Sequence, residues 1–80
     1  VKVRVLFFAA YREVAGTPLL ELELPPGATV DSVVQELRGR LGLSSLPAEP
    51  AVALNETYVP LGTPVAEGDE VALIPPVAGG

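Results

Sequence analysis

Only one stretch of this 80-residue chain carries an apolar stripe at helical spacing over three turns. Val30, Val33, Val34, Leu37 and Leu41 fall at i, i+3, i+4, i+7 and i+11, which is one face of a 3.6-residue period. Thr29 stands where an N-cap belongs, and Asp31 lies in the first turn, where the helix dipole favours an anion. Arg38 and Arg40 lie toward the other end, and Gly42 is placed to close the helix. Most of the remaining chain is patterned at strand period. One full-length helix can cover only one face of a sheet, so the chain is predicted to be a two-layer α+β fold.

The strands follow from alternation. Val1, Val3, Val5 and Phe7 share one face, and Lys2, Arg4, Leu6 and Phe8 share the other. Ala9 to Ala15 holds good helix formers ahead of Gly16, which predicts one or two turns of helix. Leu20, Leu22 and Leu24 then alternate with Glu21 and Glu23 until Pro25-Pro26-Gly27 stops the strand. Residues 43–50 have loop composition. Ala51 to Leu54 is a short strand, Asn55-Glu56 a turn, and Tyr58-Val59 a strand stub ended by Pro60. Glu67-Gly68-Asp69 forms a turn and Glu70 to Ile74 the last strand. The two most apolar strands, Val1–Phe8 and Glu70–Ile74, belong at the centre of the sheet. As parallel neighbours they would end at one sheet edge, with Phe8 near Ile74. Leu6, Phe8, Ala72 and Ile74, joined by Ala53, would then form an exposed apolar patch, a candidate docking surface.

Composition removes most kinds of chemistry. With 49% hydrophobic and 19% charged residues the chain is expected to fold, as one domain that buries about 60% of its extended surface. A formal charge of −5 speaks against nucleic acid and anionic membranes as partners. Cys and His are both absent, which excludes thiolate nucleophiles, disulfides, imidazole acid–base catalysis and the usual zinc sites. The longest apolar run, Val5 to Tyr11, is far short of the ~20 residues that span a bilayer. No basic segment followed by an apolar one opens the chain, and a soluble, cytoplasmic protein is expected. Asp69 and Glu70 are adjacent on a strand and point to opposite faces, so they make a poor carboxylate pair. Ser32, Ser44 and Ser45 have no histidine to activate them. No bound cofactor or metal is expected.

What remains is the last segment, Pro75-Pro76-Val77-Ala78-Gly79-Gly80. The diproline ends the strand and favours an extended exit. Beyond it the side chains shrink to nothing, a taper suited to a narrow tunnel, since glycine has no Cβ to clash. The five residues from Pro76 to Gly80 can reach about 16 Å at ~3.3 Å each. Residues 1–75 are expected to form the domain and 76–80 a flexible Gly-Gly tail whose reactive group is the Gly80 carboxylate.

The stretch Val5-Leu6-Phe7-Phe8-Ala9-Ala10-Tyr11-Arg12-Glu13-Val14-Ala15-Gly16 and the stretch from Gly68-Asp69-Glu70-Val71 through Ile74-Pro75-Pro76-Val77-Ala78-Gly79-Gly80 together resemble the family of small subunits of molybdopterin synthase. These are sulfur carriers with the ubiquitin-like β-grasp fold, a mixed sheet with one main helix on one face. Where members of that family often carry an aromatic before the diproline, this chain has Ile74.

The resemblance implies a mechanism. An E1-like adenylyltransferase would use ATP to adenylate Gly80, because a free carboxylate has no usable leaving group. Sulfur would then displace AMP to leave a C-terminal thiocarboxylate, with Gly79 behind it. Inserted into the large subunit, in a heterotetramer, that group would donate sulfur to cyclic pyranopterin monophosphate in molybdenum cofactor biosynthesis. The chain itself would be a sulfur donor and not a catalyst. Leu6, Phe8, Arg12, Ile74, Pro75, Pro76, Val77 and Ala78 would contact the partner. Gly79-Gly80 alone is also compatible with a carrier for thiamine thiazole or tRNA thiolation, or with a modifier joined to lysines. A passive interaction domain with an incidental tail is a further alternative.

Overall fold

Burial in the computed structural model, which describes residues 1–40 and 50–74, follows the predicted alternation in the first two strands, while Val71, Ala72 and Leu73 are buried in succession in the last. The elements are β1 (Lys2–Phe7), α1 (Ala9–Ala15), β2 (Leu19–Glu23), α2 (Val30–Arg40), β3 (Ala51–Leu54), β4 (Thr57–Tyr58) and β5 (Glu70–Ile74). They build one five-stranded sheet in the order β2-β1-β5-β3-β4. β1 and β5 run parallel side by side, with Arg4 opposite Glu70 and Phe7 opposite Leu73, and every other pairing is antiparallel. The expected central placement of the first and last strands therefore holds.

The core lies between the sheet and α2. Val3, Val5, Leu22, Val52, Val71 and Leu73 from the sheet meet Val30, Val33, Val34 and Leu37 from the helix, all of them fully or almost fully buried. Thr29 caps α2 as expected: its Oγ1 accepts from the Ser32 N–H at 3.4 Å, while Ser32 Oγ accepts from the Thr29 N–H at 3.0 Å. This reciprocal arrangement satisfies two donors at the helix start. The next two N–H groups, of Val30 and Asp31, donate to the Thr63 and Leu61 carbonyls at 2.9 and 2.8 Å. Ser32 is thus occupied as a cap. Leu41, Gly42 and residues 43–49, including Ser44 and Ser45, lie outside the described residues.

The Asn55-Glu56 turn forms as expected, and one local detail beside it differs. Asn55 and Glu56 both take positive φ, 49° and 73°, so they alone form the hairpin turn. Leu54 then pairs with Thr57, and β4 is Thr57–Tyr58 instead of Tyr58-Val59. Asn55 also ties this turn to β5, since its Oδ1 accepts from the Glu70 N–H and its Nδ2 donates to Asp69 Oδ1, both at 3.0 Å.

α1 ends as predicted, at Gly16 in the left-handed region with its N–H donating to the Arg12 carbonyl. The helix buries Tyr11 to 8% exposure, yet the phenol hydroxyl has no hydrogen-bond partner among the described residues. Burial pushes the Tyr11 phenol above its usual range, and the nearby Arg38 charge draws it partly back. The unfolded chain therefore loses this proton first as pH rises, so Tyr11 lowers stability above about pH 10. Tyr11→Phe is expected to remove that slope. At neutral pH it should leave stability unchanged or raise it by about 1 kcal/mol, because an unsatisfied hydroxyl is deleted. Chemical denaturation of both proteins at neutral pH and above pH 10 checks both effects.

Candidate functional site

The face of the sheet opposite α2 has no layer over it among the described residues, and the strand register sorts its side chains into rows. Leu6 stands opposite both Leu19 and Ala72, Ala72 opposite Ala53, and Ala53 opposite Tyr58. An apolar row therefore crosses all five strands, from Leu19 on β2 to Tyr58 on β4. Ile74 lies opposite Ala51 one row further on, and extending the β1–β5 register places Phe8 beside Ile74. In the other direction the row is charged: Arg4 faces Glu21 on one side and Glu70 on the other, reaching the Glu70 carboxylate at 3.7 Å.

This open face is accordingly divided. The apolar part lies at the C-terminal ends of β1 and β5, the edge toward which β5 directs the chain. The charged part lies at the opposite edge, where Arg4, Asn55, Glu56 and Glu70 line a shallow open depression. The structure thus brings Leu6, Phe8 and Ile74 together. Phe8 is 45% exposed, and Leu6 and Ile74 are half-buried. Arg12 is exposed on α1, which leaves the sheet at the same edge, directly after Phe8. It makes no ion pair with Glu13. Pro75, Pro76, Val77, Ala78, Gly79 and Gly80 lie outside the described residues.

One expectation is corrected. Ala53 and Ala72 are not exposed members of the patch: each is only 8% accessible although no layer of described residues covers the face. Their methyl groups are short and flanked by taller neighbours, Leu6 on one side and Tyr58 on the other, so they form the floor of a trough. Conversely, Leu19 and Tyr58, 44% and 68% exposed, belong to the same face and were not foreseen there. The available signal was the antiparallel return of β2 and β4 onto strands already placed, which sets Leu19 beside Leu6 and Tyr58 beside Ala53.

The turn carboxylates are structural. Asp69 Oδ2 accepts from the Ala66 N–H at 2.7 Å, and its Oδ1 holds Asn55. Glu67 Oε1 accepts from the Lys2 N–H at 2.9 Å, and Glu70 pairs with Arg4. Among the described residues no three potential metal-ligating side chains gather into a metal-binding group, and no helix is long and apolar enough to cross a membrane.

The same fold recurs in solved structures. Small archaeal modifier protein 1 from Haloferax volcanii superimposes with a TM-score of 0.88 at 32% identity over the whole of both chains. A protein–protein complex of subunits 1 and 2 of molybdopterin-converting factor from Helicobacter pylori contains a chain matching at TM-score 0.72 and 27% identity, again over both full lengths. A ubiquitin from Caldiarchaeum subterraneum shares the fold, at TM-score 0.66 and 24% identity, with all of this chain and 98% of that one covered. The class is therefore the ubiquitin-like β-grasp fold.

Sequence narrows the class. The molybdopterin synthase sulfur carrier subunit of Drosophila melanogaster is 41% identical across all of this chain and 92% of its own length. That of Mycobacterium tuberculosis is 40% identical across all of this chain and 99% of its own. The model of the ThiS family matches residues 5–80, and the chain belongs to that family.

Proposed function

We propose that this chain is the sulfur carrier subunit of a molybdopterin synthase, with the Gly80 carboxylate as its reacting group. The observation that carries this reading is end-to-end likeness at about 40% identity to sulfur carrier subunits of that enzyme, with the family match running through Gly79 and Gly80. The division of the open face supports it physically, because the apolar docking surface lies at the edge toward which β5 leads. Ordering a tail in a partner's tunnel costs roughly 1–2 kcal/mol per residue, so a separate surface has to supply binding energy.

In this reading residues 1–75 are a handle and 76–80 the reagent. An E1-like adenylyltransferase joins the Gly80 carboxylate to the α-phosphorus of ATP with release of pyrophosphate. Sulfur then displaces AMP, leaving a thiocarboxylate that is already an anionic nucleophile and needs no base from this subunit. The large subunit receives Leu6, Phe8, Ile74 and Arg12 on its surface and Pro75 to Gly80 in its active site, in a heterotetramer. Sulfur passes to cyclic pyranopterin monophosphate, and two rounds complete the dithiolene. The carrier binds no cofactor of its own and supplies no catalytic side chain. The tail and the substrate phosphate are both anionic, so cationic groups must come from the large subunit. A carrier at −5 is suited to meet such a surface. In this reading the chain works in the cytoplasm.

Incubation with ATP, a cognate activating enzyme and a sulfur donor tests the first half. Intact mass should show the adenylate and then a chain heavier by the difference between sulfur and oxygen. A chain that never gains that mass would refute the reading. The full-length likeness to a modifier protein favours a second reading, conjugation to lysines, which the same experiment detects as covalent adducts of this chain instead of a thiocarboxylate.

A further inference from the structure

β2 is an edge strand of the sheet, and its outer side is open over a short, defined length. The Leu24 N–H donates to the Val1 carbonyl at 2.7 Å and the Phe7 N–H donates to the Pro18 carbonyl at 3.0 Å. Residues 18, 20, 22 and 24 therefore turn their backbone groups toward β1, and those of Leu19, Glu21 and Glu23 turn outward. Leu19 is closed off locally: Thr17 Oγ1 donates to its carbonyl at 2.9 Å and accepts from its N–H at 3.3 Å. Pro25 and Pro26 end the strand on the other side. The N–H and C=O of Glu21 and of Glu23 remain, four outward-facing groups with no hydrogen-bond partner among the described residues.

The side chains around these groups define what could pair with them. Glu21 and Glu23 are exposed on the open face and form no ion pair within 4.0 Å, although Arg4 and Lys2 stand opposite them in register. On the other face Leu20 is half-buried, so aliphatic surface borders the edge there. A strand laid along β2 alternates faces with it. Its residues on the open side meet two carboxylates, and its residues on the core side meet Leu20. A second copy of β2 would set Glu against Glu and is disfavoured.

We infer that the outer edge of β2 at Glu21 and Glu23 is a strand-addition site for an extended protein segment in which Lys or Arg alternates with aliphatic residues. The backbone supplies the hydrogen bonds and the glutamates supply the choice of partner. This site stands apart from the apolar part of the open face and does not depend on sulfur transfer.

The test titrates a six-residue peptide of alternating Lys and Val, capped at both ends, into the full ¹⁵N-labelled chain. Binding with a dissociation constant on the order of 10⁻⁴ M at low salt is expected. The largest amide shifts should fall at Glu21 and Glu23, with slowed hydrogen exchange at those two amides. The paired change Glu21→Gln with Glu23→Gln should weaken binding at least about tenfold while amide dispersion shows the fold intact. A peptide N-methylated at the residues that face β2 should not bind, because it cannot donate to the edge. Equal binding of the N-methylated peptide would reduce the effect to charge attraction and overturn the inference. Shifts centred on Phe8 and Ile74, or no binding at millimolar peptide, would overturn it as well.

Discussion

Deletion of Gly80 should reduce sulfur transfer to the pterin substrate by at least about 100-fold while leaving the unfolding transition where it is. The stability half follows from the core. Among the described residues the buried cluster runs from Val3 to Leu73, and every large, fully buried side chain belongs to it. Removing a terminal glycine takes nothing from that cluster. The activity half follows from reach. The truncated chain still ends in a carboxylate, on Gly79, so adenylation is chemically possible. Its reacting atom, however, falls short by about 3.3 Å, the span of one residue. That shortfall is as large as the whole near-attack distance of ~3–3.5 Å, and about 1 Å of misplacement can already cost 100-fold. Single-turnover sulfur transfer with the large subunit measures the first effect, and thermal unfolding measures the second.

Phe8→Asp should weaken binding to the large subunit at least about tenfold without destabilising the carrier. Phe8 is 45% exposed at the apolar edge of the open face, next in register to Ile74. A carboxylate placed there would have to be desolvated against apolar surface on docking, and it replaces a large exposed aromatic side chain. The fold has reason to tolerate the change. Phe8 is the N-cap of α1, with extended backbone (φ −123°, ψ 151°) and no capping side-chain hydrogen bond. Asp is among the best residues for that position and adds an anion at the helix start. Reduced affinity with an unchanged or raised melting temperature is therefore the expected pair of results. Unchanged affinity would remove the patch from the docking surface.

Much of this architecture was legible in the sequence because β1, β2 and α2 each bury one face only. Val3, Val5 and Phe7 at period two, and Val30, Val33, Val34 and Leu37 at period 3.6, each specify a side before any partner is known. Apolarity likewise placed β1 and β5 at the centre, and their parallel run sets Phe8 beside Ile74. What a single strand does not encode is its register against the next. Leu19 and Tyr58 joined the open face only through pairing with Leu6 and Ala53, and the accessibility of Ala53 and Ala72 is set by the height of their neighbours. The start of β4 moved for the same kind of reason: two residues at positive φ, Asn55 and Glu56, close the hairpin and decide which residue pairs first. The reactive segment was legible as chemistry rather than as structure. Gly79-Gly80 behind a diproline reads as a tapered end, and these residues lie outside those the structure describes.

The central claim is that sulfur leaves from Gly80 itself. Its most direct measurement uses the chain prepared with a ³⁵S-labelled C-terminal thiocarboxylate, mixed with the large subunit and the pterin substrate without ATP or activating enzyme. The label should move to the pterin in a single turnover, with the chain returned bearing an ordinary carboxylate at Gly80. Label that stays on the chain while the pterin acquires unlabelled sulfur would contradict the account.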